Sequence, residues 1–251
     1  MTATRVWLPL ALALAALVSG GCGGKQRPKM PKPTGDRLDG GDVVGVYAKG
    51  LGGGSYVWVV PTDTGVVLID AGQGKRTKAI EAEVDGREVH AVLLTHGHFD
   101  HTKGLPQFPD AQVYAGPGEG PLVRGEVLPG GFGARVATGL LGGPRYAPPL
   151  FREFRDGETL EIDGESFHAI HVPGHTSGGA AYIWRDVAFT GDVVIGRGDF
   201  VSPVPALFYD DFDIIGASVS KILDVPWERL ADGHAGLHAD ARSQVEDFVS
   251  R

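Results

Sequence analysis

The sequence predicts an α+β protein built as a four-layer αββα sandwich, in which two β-sheets face each other and helices cover both outer sides. Short β-branched and aromatic runs alternate with helical segments in the order strands, helix, strand, then strands, helix, strand, helix. The chain also has 39 glycines and 17 prolines among 251 residues, which is typical of short strands joined by tight turns.

The first half of the predicted domain begins with strands at about residue 42. GVYAKG, SYVWVVPT and GVVLIDAG are rich in β-branched and aromatic residues, and a turn at Thr62–Gly65 separates the last two. Residues 74–84 follow with the spacing of a helix. REVHAVLLT is almost continuously apolar, which indicates a central strand buried on both faces. AQVYAG, residues 111–116, predicts one more strand.

The second half repeats this order. GETLEIDGESFHAIHV contains two strands joined by Asp163-Gly164, a strong hairpin signal. GGAAYIW and DVAFTG form another strand pair, residues 209–223 predict a helix, ERLADG a short strand and ADARSQVEDFVS a terminal helix. Between the halves, residues 116–150 form a glycine- and proline-rich insertion that keeps several apolar side chains. Such a segment is either a surface excursion or a lid over a site.

The N-terminus differs from the domain in composition. Residues 1–22 contain Arg5, an apolar stretch too short to span a bilayer and then SGGC, which predicts a secretory signal peptide. The end of this segment resembles the lipobox of bacterial lipoproteins, although Ser19 stands where that motif usually has leucine. The resemblance implies that Cys22 is lipidated and that the protein is exported to the cell envelope or periplasm. An ordinary signal peptide with an incidental cysteine is the alternative.

Residues 23–41 are polar and broken by three prolines, so they predict a flexible tether ahead of a folded domain at 42–251. Cys22 is the only cysteine, so the domain has neither a disulfide nor a thiol nucleophile. The formal net charge is −8, and no basic stripe interrupts it. This charge argues against a nucleic-acid partner, and any membrane contact is expected through the lipid anchor only.

The segment THGHFDHTKG places His96, His98, Asp100 and His101 within six positions. Three imidazoles beside a carboxylate are costly in a folded core unless something binds them. These are the groups that zinc and similar divalent ions prefer, and an ion needs them to approach from several directions. Because one ion cannot take all four from so short a loop, His96 with His98 on one ion and Asp100 with His101 on a neighbouring ion is the natural partition.

A second ion requires further ligands, and the chain offers three of them. Each lies where a predicted strand runs into a glycine-containing loop, a place where scaffolds commonly carry functional residues. They are His175 in HVPGHTSGG, Asp192 in AFTGDVV and His234 in RLADGHAG.

This set of motifs, in this order, resembles the metallo-β-lactamase-fold hydrolases over about residues 42–250. The resemblance implies the αββα fold of that family, with two zinc ions in a cleft between the sheets and Asp192 bridging them. It also implies that Asp70, in LIDAG, supports the metal-binding loop from behind. The remaining ligands would be His96, His98 and His175 for one ion, and Asp100, His101 and His234 for the other.

The resemblance also implies a reaction. A hydroxide that bridges the two ions would attack a carbonyl, and Asp100 could shuttle a proton in addition to binding metal. Asp192 stands where the lactamases themselves tend to lack a carboxylate, so the pattern is most similar to hydroxyacylglutathione hydrolase (glyoxalase II). A small-molecule thioester or ester is therefore the expected substrate. The helical extension with which that enzyme binds glutathione has no counterpart after His234, so the chemistry is better indicated than glutathione itself.

Other functions stay open at this point. A β-lactamase or lactonase of the same fold would use the same ligands. A persulfide dioxygenase would instead use one iron at His96, His175 and Asp192, so iron is an alternative to zinc. A metal-binding protein without catalysis is disfavoured, because such a protein is expected to lack a ligand and here the set is complete.

Overall fold

Two β-sheets packed face to face form the centre of the protein in the computed structural model, which describes residues 32–50, 53–74 and 78–251. The first sheet has seven strands, and their order in space follows their order in the chain. Its first three strand pairs are antiparallel and its last three are parallel. The strands are β1 (Arg37–Asp39), β2 (Val44–Gly50), β3 (Gly53–Pro61), β4 (Gly65–Ile69), β5 (Glu88–Leu93), β6 (Gln112–Ala115) and β7 (Phe151–Glu153).

The second sheet has six strands and is mostly antiparallel. Its strands are β8 (Glu158–Ile162), β9 (Glu165–His171), β10 (Ala180–Trp184), β11 (Val187–Gly191), β14 (Arg229–Asp232) and β15 (Leu237–His238). They lie in the order β15-β14-β11-β10-β9-β8, with β11 and β14 parallel. A two-stranded ribbon of β12 (Ile195–Gly196) and β13 (Val201–Ser202) lies between β11 and β14 in the chain.

Short helices connect and cover the sheets in the described part of the chain. They are α1 (Lys78–Val84), α2 (Phe99–Thr102), α3 (Gly120–Val123), α4 (Phe132–Leu141), α5 (Ile215–Ser220) and α6 (Arg242–Val249). Single 3₁₀ turns occur at Leu105–Gln107, Ala206–Phe208 and Lys221–Asp224. No helix among the described residues is both long and apolar enough to cross a membrane.

Strand β3 shows how the layers are made. Side chains alternate across a strand, so Tyr56 and Trp58 point into the core between the sheets, whereas Val57 and Val59 point to the outer face. Ile80 of α1 packs on that outer face. Because both faces of the strand are covered, its sequence is a continuous apolar run.

The second sheet is covered in the same way. Tyr182 and Trp184 of β10 enter the core between the sheets, while Ile183 faces the other side. Val219 of α5 and Val245 of α6 belong to that outer cluster. The predicted αββα sandwich is therefore confirmed.

The predicted boundary between tether and domain at residue 42 is wrong. Residues 37–39 form β1 and pair with β2. Upstream of that strand, the backbone N–H of Thr34 donates to the carbonyl of Ala235 at 3.1 Å. Tyr56 donates its hydroxyl to the carbonyl of Gly35 at 2.6 Å. The folded unit therefore includes residues from about 34 onward, held by backbone groups that a polar composition does not reveal. The predicted signal peptide, Cys22 and residues 23–31 lie outside the described residues.

One further segment differs from its prediction. The helix expected over 209–223 begins only at Ile215, and the segment before it bonds instead to the loop of His175, since the N–H groups of Asp210 and Asp211 donate to the carbonyls of His175 and Gly174. The insertion at 116–150 contains α3 and α4.

Candidate metal centre

The seven candidate ligands lie together where strands of both sheets end. His96 and His98 follow β5, and Asp100 and His101 lie in α2 directly after them. Each of the remaining three follows the carboxyl end of a strand of the second sheet. These are His175 after β9, Asp192 after β11 and His234 after β14.

The first group of ligands consists of His96, His98 and His175, and all three side chains are buried. Nε2 of His175 lies 3.2 Å from Nε2 of His96 and 3.0 Å from Nδ1 of His98. Three ring nitrogens that converge this closely cannot all be satisfied by protons on one another. Burial, reinforced by the neighbouring imidazoles, lowers the pKa of His96 and His175 well below the usual range. The group is therefore an uncharged imidazole cage, and neutral imidazole is the form that binds a metal ion.

The second group consists of Asp100, His101 and His234. Oδ2 of Asp100 lies 4.0 Å from Nε2 of His101 and 3.9 Å from Nε2 of His234. Nε2 of His101 is buried and lacks a hydrogen-bond partner of adequate geometry among the described residues. These donor atoms face a common point with spacings that leave room for an ion between them.

Asp192 lies between the two groups. Its Oδ2 is 2.9 Å from Nε2 of His234 and 3.6 Å from Nε2 of His175, so one oxygen faces a ligand of each group. Its Oδ1 is 3.4 Å from Nε2 of His101. A carboxylate in this position could bridge two ions, which is the role that the resemblance implies for it.

The second group differs from the first in charge. Burial opposes a protonated His234, but the carboxylate of Asp192 outweighs it and raises the pKa of His234 to about 9. His101 has its pKa raised well above the usual range, because Asp70 and Asp192 outweigh the same effect of burial. Burial in turn works against the charge of Asp192, but His234 and His101 hold the pKa of its carboxyl well below the usual range. The second group therefore holds protons where an ion would bind.

Asp70 contacts one ligand and the start of the loop that carries it. Its Oδ2 accepts hydrogen bonds from Nδ1 of His101 at 2.7 Å and from the hydroxyl of Thr95 at 2.8 Å. Its Oδ1 accepts the backbone N–H of Thr95 at 2.8 Å. On the other side of the site, Nδ1 of His234 lies 2.8 Å from the carbonyl of Gly54. A bond from each Nδ1 fixes the tautomer that leaves Nε2 free for a metal ion.

Three further buried residues support the site. Oδ1 of Asp232 accepts the backbone N–H of His234 at 2.8 Å and so shapes that ligand loop. Tyr209, which the sequence offers as a cleft-lining aromatic residue, packs its ring 5.0 Å from that of His175 and donates its hydroxyl to the carbonyls that follow Gly191. Glu119 contacts two ligand loops from within the insertion. Sequence reasoning missed Asp232 and Glu119; the Asp-Gly pair ahead of His234 was a turn signal that could have indicated Asp232, whereas no local pattern indicated Glu119.

The insertion also forms part of a cavity of about 290 Å³ beside the first group. Gly97, His98 and Phe99 form its inner side. Val127 and Leu128 of the insertion line it with half-exposed apolar side chains. The insertion therefore lines the cavity next to the site.

The chain is similar to known proteins both in sequence and in structure. The family model of the metallo-beta-lactamase superfamily matches residues 50–250. A hydroxyacylglutathione hydrolase of Cronobacter sakazakii is 33% identical over 170 residues, which are 65% of this chain and 57% of that protein. The chain spans about three fifths of the length of the curated relatives it matches first.

Two solved structures that share the fold are more than 25% identical to this chain. BLEG-1, a B3 metallo-beta-lactamase, is 26% identical with a TM-score of 0.63, and the match covers 83% of this chain and 100% of that one. TTHA1623, solved in a di-iron-bound form, is 28% identical with a TM-score of 0.55, and the match covers 78% of this chain and 93% of that one.

Proposed function

The chain belongs to the metallo-beta-lactamase superfamily, and we propose that it is a two-zinc hydrolase that cleaves a thioester or ester of a small molecule. The observation that carries the proposal is the position of Asp192, whose carboxylate faces ligands of both groups. The fit of the donor set to metal supports it, because ring nitrogens of His96, His98 and His175 converge on one another and Nε2 of His101 is buried without a hydrogen bond among the described residues. Matching relatives that are named hydroxyacylglutathione hydrolase favour the thioester.

Two divalent ions held by these residues would supply an activated water molecule and polarise the carbonyl of the substrate. The protein's own contribution is to fix the ligands and to handle protons. The side chain of Asp100 is 17% exposed, whereas that of His101 is fully buried, so Asp100 is the acid that reaches solvent. The hydroxyl of Ser55 donates to the backbone carbonyl of Asp100 at 2.7 Å and fixes this residue. Asp100 is therefore suited to carry a proton between the site and the leaving group.

The cavity beside His98 is where the body of the substrate would lie. Its walls are largely apolar or glycine backbone, with Phe99, Leu122 and Val127 among them. Such a surface suits an acyl chain or another apolar group next to the scissile carbonyl. It also keeps bulk water away from one side of the reaction.

A β-lactamase is the second candidate, and a specific observation favours it. BLEG-1 is covered over its whole length, whereas the hydroxyacylglutathione hydrolases extend well beyond the matched part. We further propose that the protein works at the cell envelope, tethered through Cys22, on the basis of the lipobox-like segment.

Metal content and a substrate panel test the proposal. We expect the purified chain to bind two equivalents of zinc and to turn over a glutathione thioester or an activated ester in preference to a β-lactam or a lactone. The panel also includes glutathione persulfide, which tests for a dioxygenase. A protein with one iron, no zinc and oxygen consumption with the persulfide would replace the hydrolase by a dioxygenase. Preferential turnover of the β-lactam would establish the second candidate instead.

The affinity of the second group for zinc is expected to rise with pH. An ion must displace the proton that His234 keeps below about pH 9, so affinity should increase by about tenfold per pH unit for each proton released. The first group, already neutral, should change far less above pH 7. Zinc competition titrations at pH 6.5, 7.5 and 8.5 measure both slopes, and two equal slopes would contradict the assignment.

The free energy of unfolding of the ion-free protein should instead fall as the pH rises. The pKa of His234 is raised from 6.5 to about 9, so its pairing with Asp192 contributes stability that is complete below pH 6.5 and is lost as pH rises through 9. Urea unfolding in the presence of a chelator over this range provides the control for the zinc titrations.

A further inference from the structure

Glu119 is a fully buried carboxylate that is not among the metal ligands. Its Oε1 accepts the backbone N–H of Gly97 at 2.6 Å, and its Oε2 accepts the backbone N–H of Gly178 at 2.9 Å. Gly97 separates His96 from His98, and Gly178 lies three residues after His175. One side chain thus joins the two loops that carry the entire first group of ligands.

Both loops pack too closely against the segment that carries Glu119 for any residue larger than glycine. A Cβ atom on Gly178 would lie 2.6 Å from the Cβ of Glu119, and one on Gly97 would lie 2.8 Å from Leu122 in the helix that Glu119 precedes. This close packing on both sides fixes the two loops at the distance that lets Glu119 bond to both of them.

The turn that carries Glu119 is held from its outer side as well. The exposed Glu153 accepts the N–H of Gly118 at 2.9 Å and that of Gly120 at 3.0 Å. The N–H groups on either side of Glu119 thus point outward, while the side chain of Glu119 points inward to the ligand loops. This fixed turn leaves the Glu119 carboxylate little freedom to move.

Burying a carboxylate away from water is energetically unfavourable unless other groups replace its lost hydration. Burial, with a smaller contribution from the acidic Asp210, raises the pKa of Glu119 to about 7. The two backbone N–H groups offset part of this cost. A neutral amide has only one acceptor oxygen, whereas this carboxylate accepts from both ligand loops at once, so the placement of an acid here points to the ligands it holds.

We propose that Glu119 is a positioning residue of the metal centre, which sets the spacing between His96, His98 and His175 and so determines how tightly the first group binds its ion. The proposal rests on the two-ion site put forward above. It adds that the insertion, as the segment that carries Glu119, controls the affinity of one ion and not of the other.

The test is Glu119→Gln with Glu153→Gln as the matched control. The amide of E119Q fills the same space but has one acceptor oxygen, so one of the two glycine N–H groups faces an NH₂ donor. We expect zinc affinity to fall about 10- to 100-fold for one equivalent, the range typical of residues that orient metal ligands. The other equivalent should keep its wild-type affinity. E153Q removes a bond from the same turn without touching the ligand loops and should leave both affinities unchanged.

Competition titration of the metal-free chains with zinc gives both affinities. Unchanged binding by E119Q, or an equal loss at both equivalents, would overturn the positioning role. A wild-type chain that binds fewer than two equivalents would count against the proposed function instead. The two failures are therefore distinguishable.

A second measurement on the unaltered protein does not depend on the folding of a variant. If Glu119 links the ligand loops to the ion, zinc must in turn stabilise the bonds that Glu119 makes. Zinc should then slow amide hydrogen exchange at Gly97 and Gly178 more than at Gly118 and Gly120, whose bonds to Glu153 lie on the outer side of the turn. Equal effects at the four amides would contradict the inference.

Discussion

Replacing Asp192 with alanine is expected to reduce kcat/KM by about 1,000-fold or more, equivalent to about 4 kcal/mol of transition-state stabilisation. The Asp192 carboxylate faces His175 in the first group and His234 in the second, so its loss removes a ligand from both ions at once. It also removes the carboxylate that raises the pKa of His101 and His234, so the site loses a negative charge that would attract an incoming cation. Zinc content of D192A should fall below two equivalents.

Elemental analysis and steady-state kinetics on the same preparation separate the two effects. Asp199→Ala is the matched control, since Asp199 is an exposed aspartate a short distance along the chain. It should retain wild-type kinetics and two equivalents of zinc. Retention of full activity by D192A would contradict the bridging position and with it the observation on which the proposed function depends.

Asp70→Ala is expected to lower the free energy of unfolding of the ion-free protein by about 3–5 kcal/mol, the usual effect of removing one partner of a buried charged pair. The change leaves Nδ1 of His101 and the N–H of Thr95 without their acceptor in the buried interior. It also places alanine at φ 62°, a left-handed conformation that aspartate tolerates better. Zinc binding at the second group should weaken as His101 loses its orientation.

Asp85→Ala separates the backbone effect from the lost contacts. Asp85 has φ 52° but is exposed, so D85A reports the cost of alanine in the left-handed region, about 1–2 kcal/mol. Urea unfolding of both variants in the presence of a chelator measures the difference. A loss in D70A no larger than that in D85A would show that the contacts of Asp70 contribute nothing to stability.

The two groups of ligands are held by different means, and this difference has a consequence for metal loading. The first group is neutral and is spaced by the Glu119 carboxylate through backbone bonds. The second is charged and is oriented by Asp70 and Asp192 through direct contacts with the imidazoles. Because only the second group must release protons, the first is expected to fill at the lower pH.

Much of this protein could be predicted from local sequence patterns. Alternation with a period of two identified most strands, and the Asp163-Gly164 pair identified a hairpin whose two turn residues do adopt positive φ values of 45° and 83°. Histidine and aspartate at glycine-containing strand ends identified all seven residues that the structure brings together. These signals are visible because the preference that each residue expresses depends on its immediate neighbours.

The tertiary structure alone decided the rest, because the partners are distant in sequence and are often backbone groups. Strand β1 exists only through pairing with β2, and the start of α5 depends on bonds from residues 210–211 to the loop of His175. Glu119 and Gly178 are 59 positions apart, so nothing near Glu119 indicates that its carboxylate meets a ligand loop. The sequence by itself determined the αββα class and the seven candidate ligands. Only the folded chain decided how close these ligands lie to one another, how their charges differ and which carboxylates hold them in place.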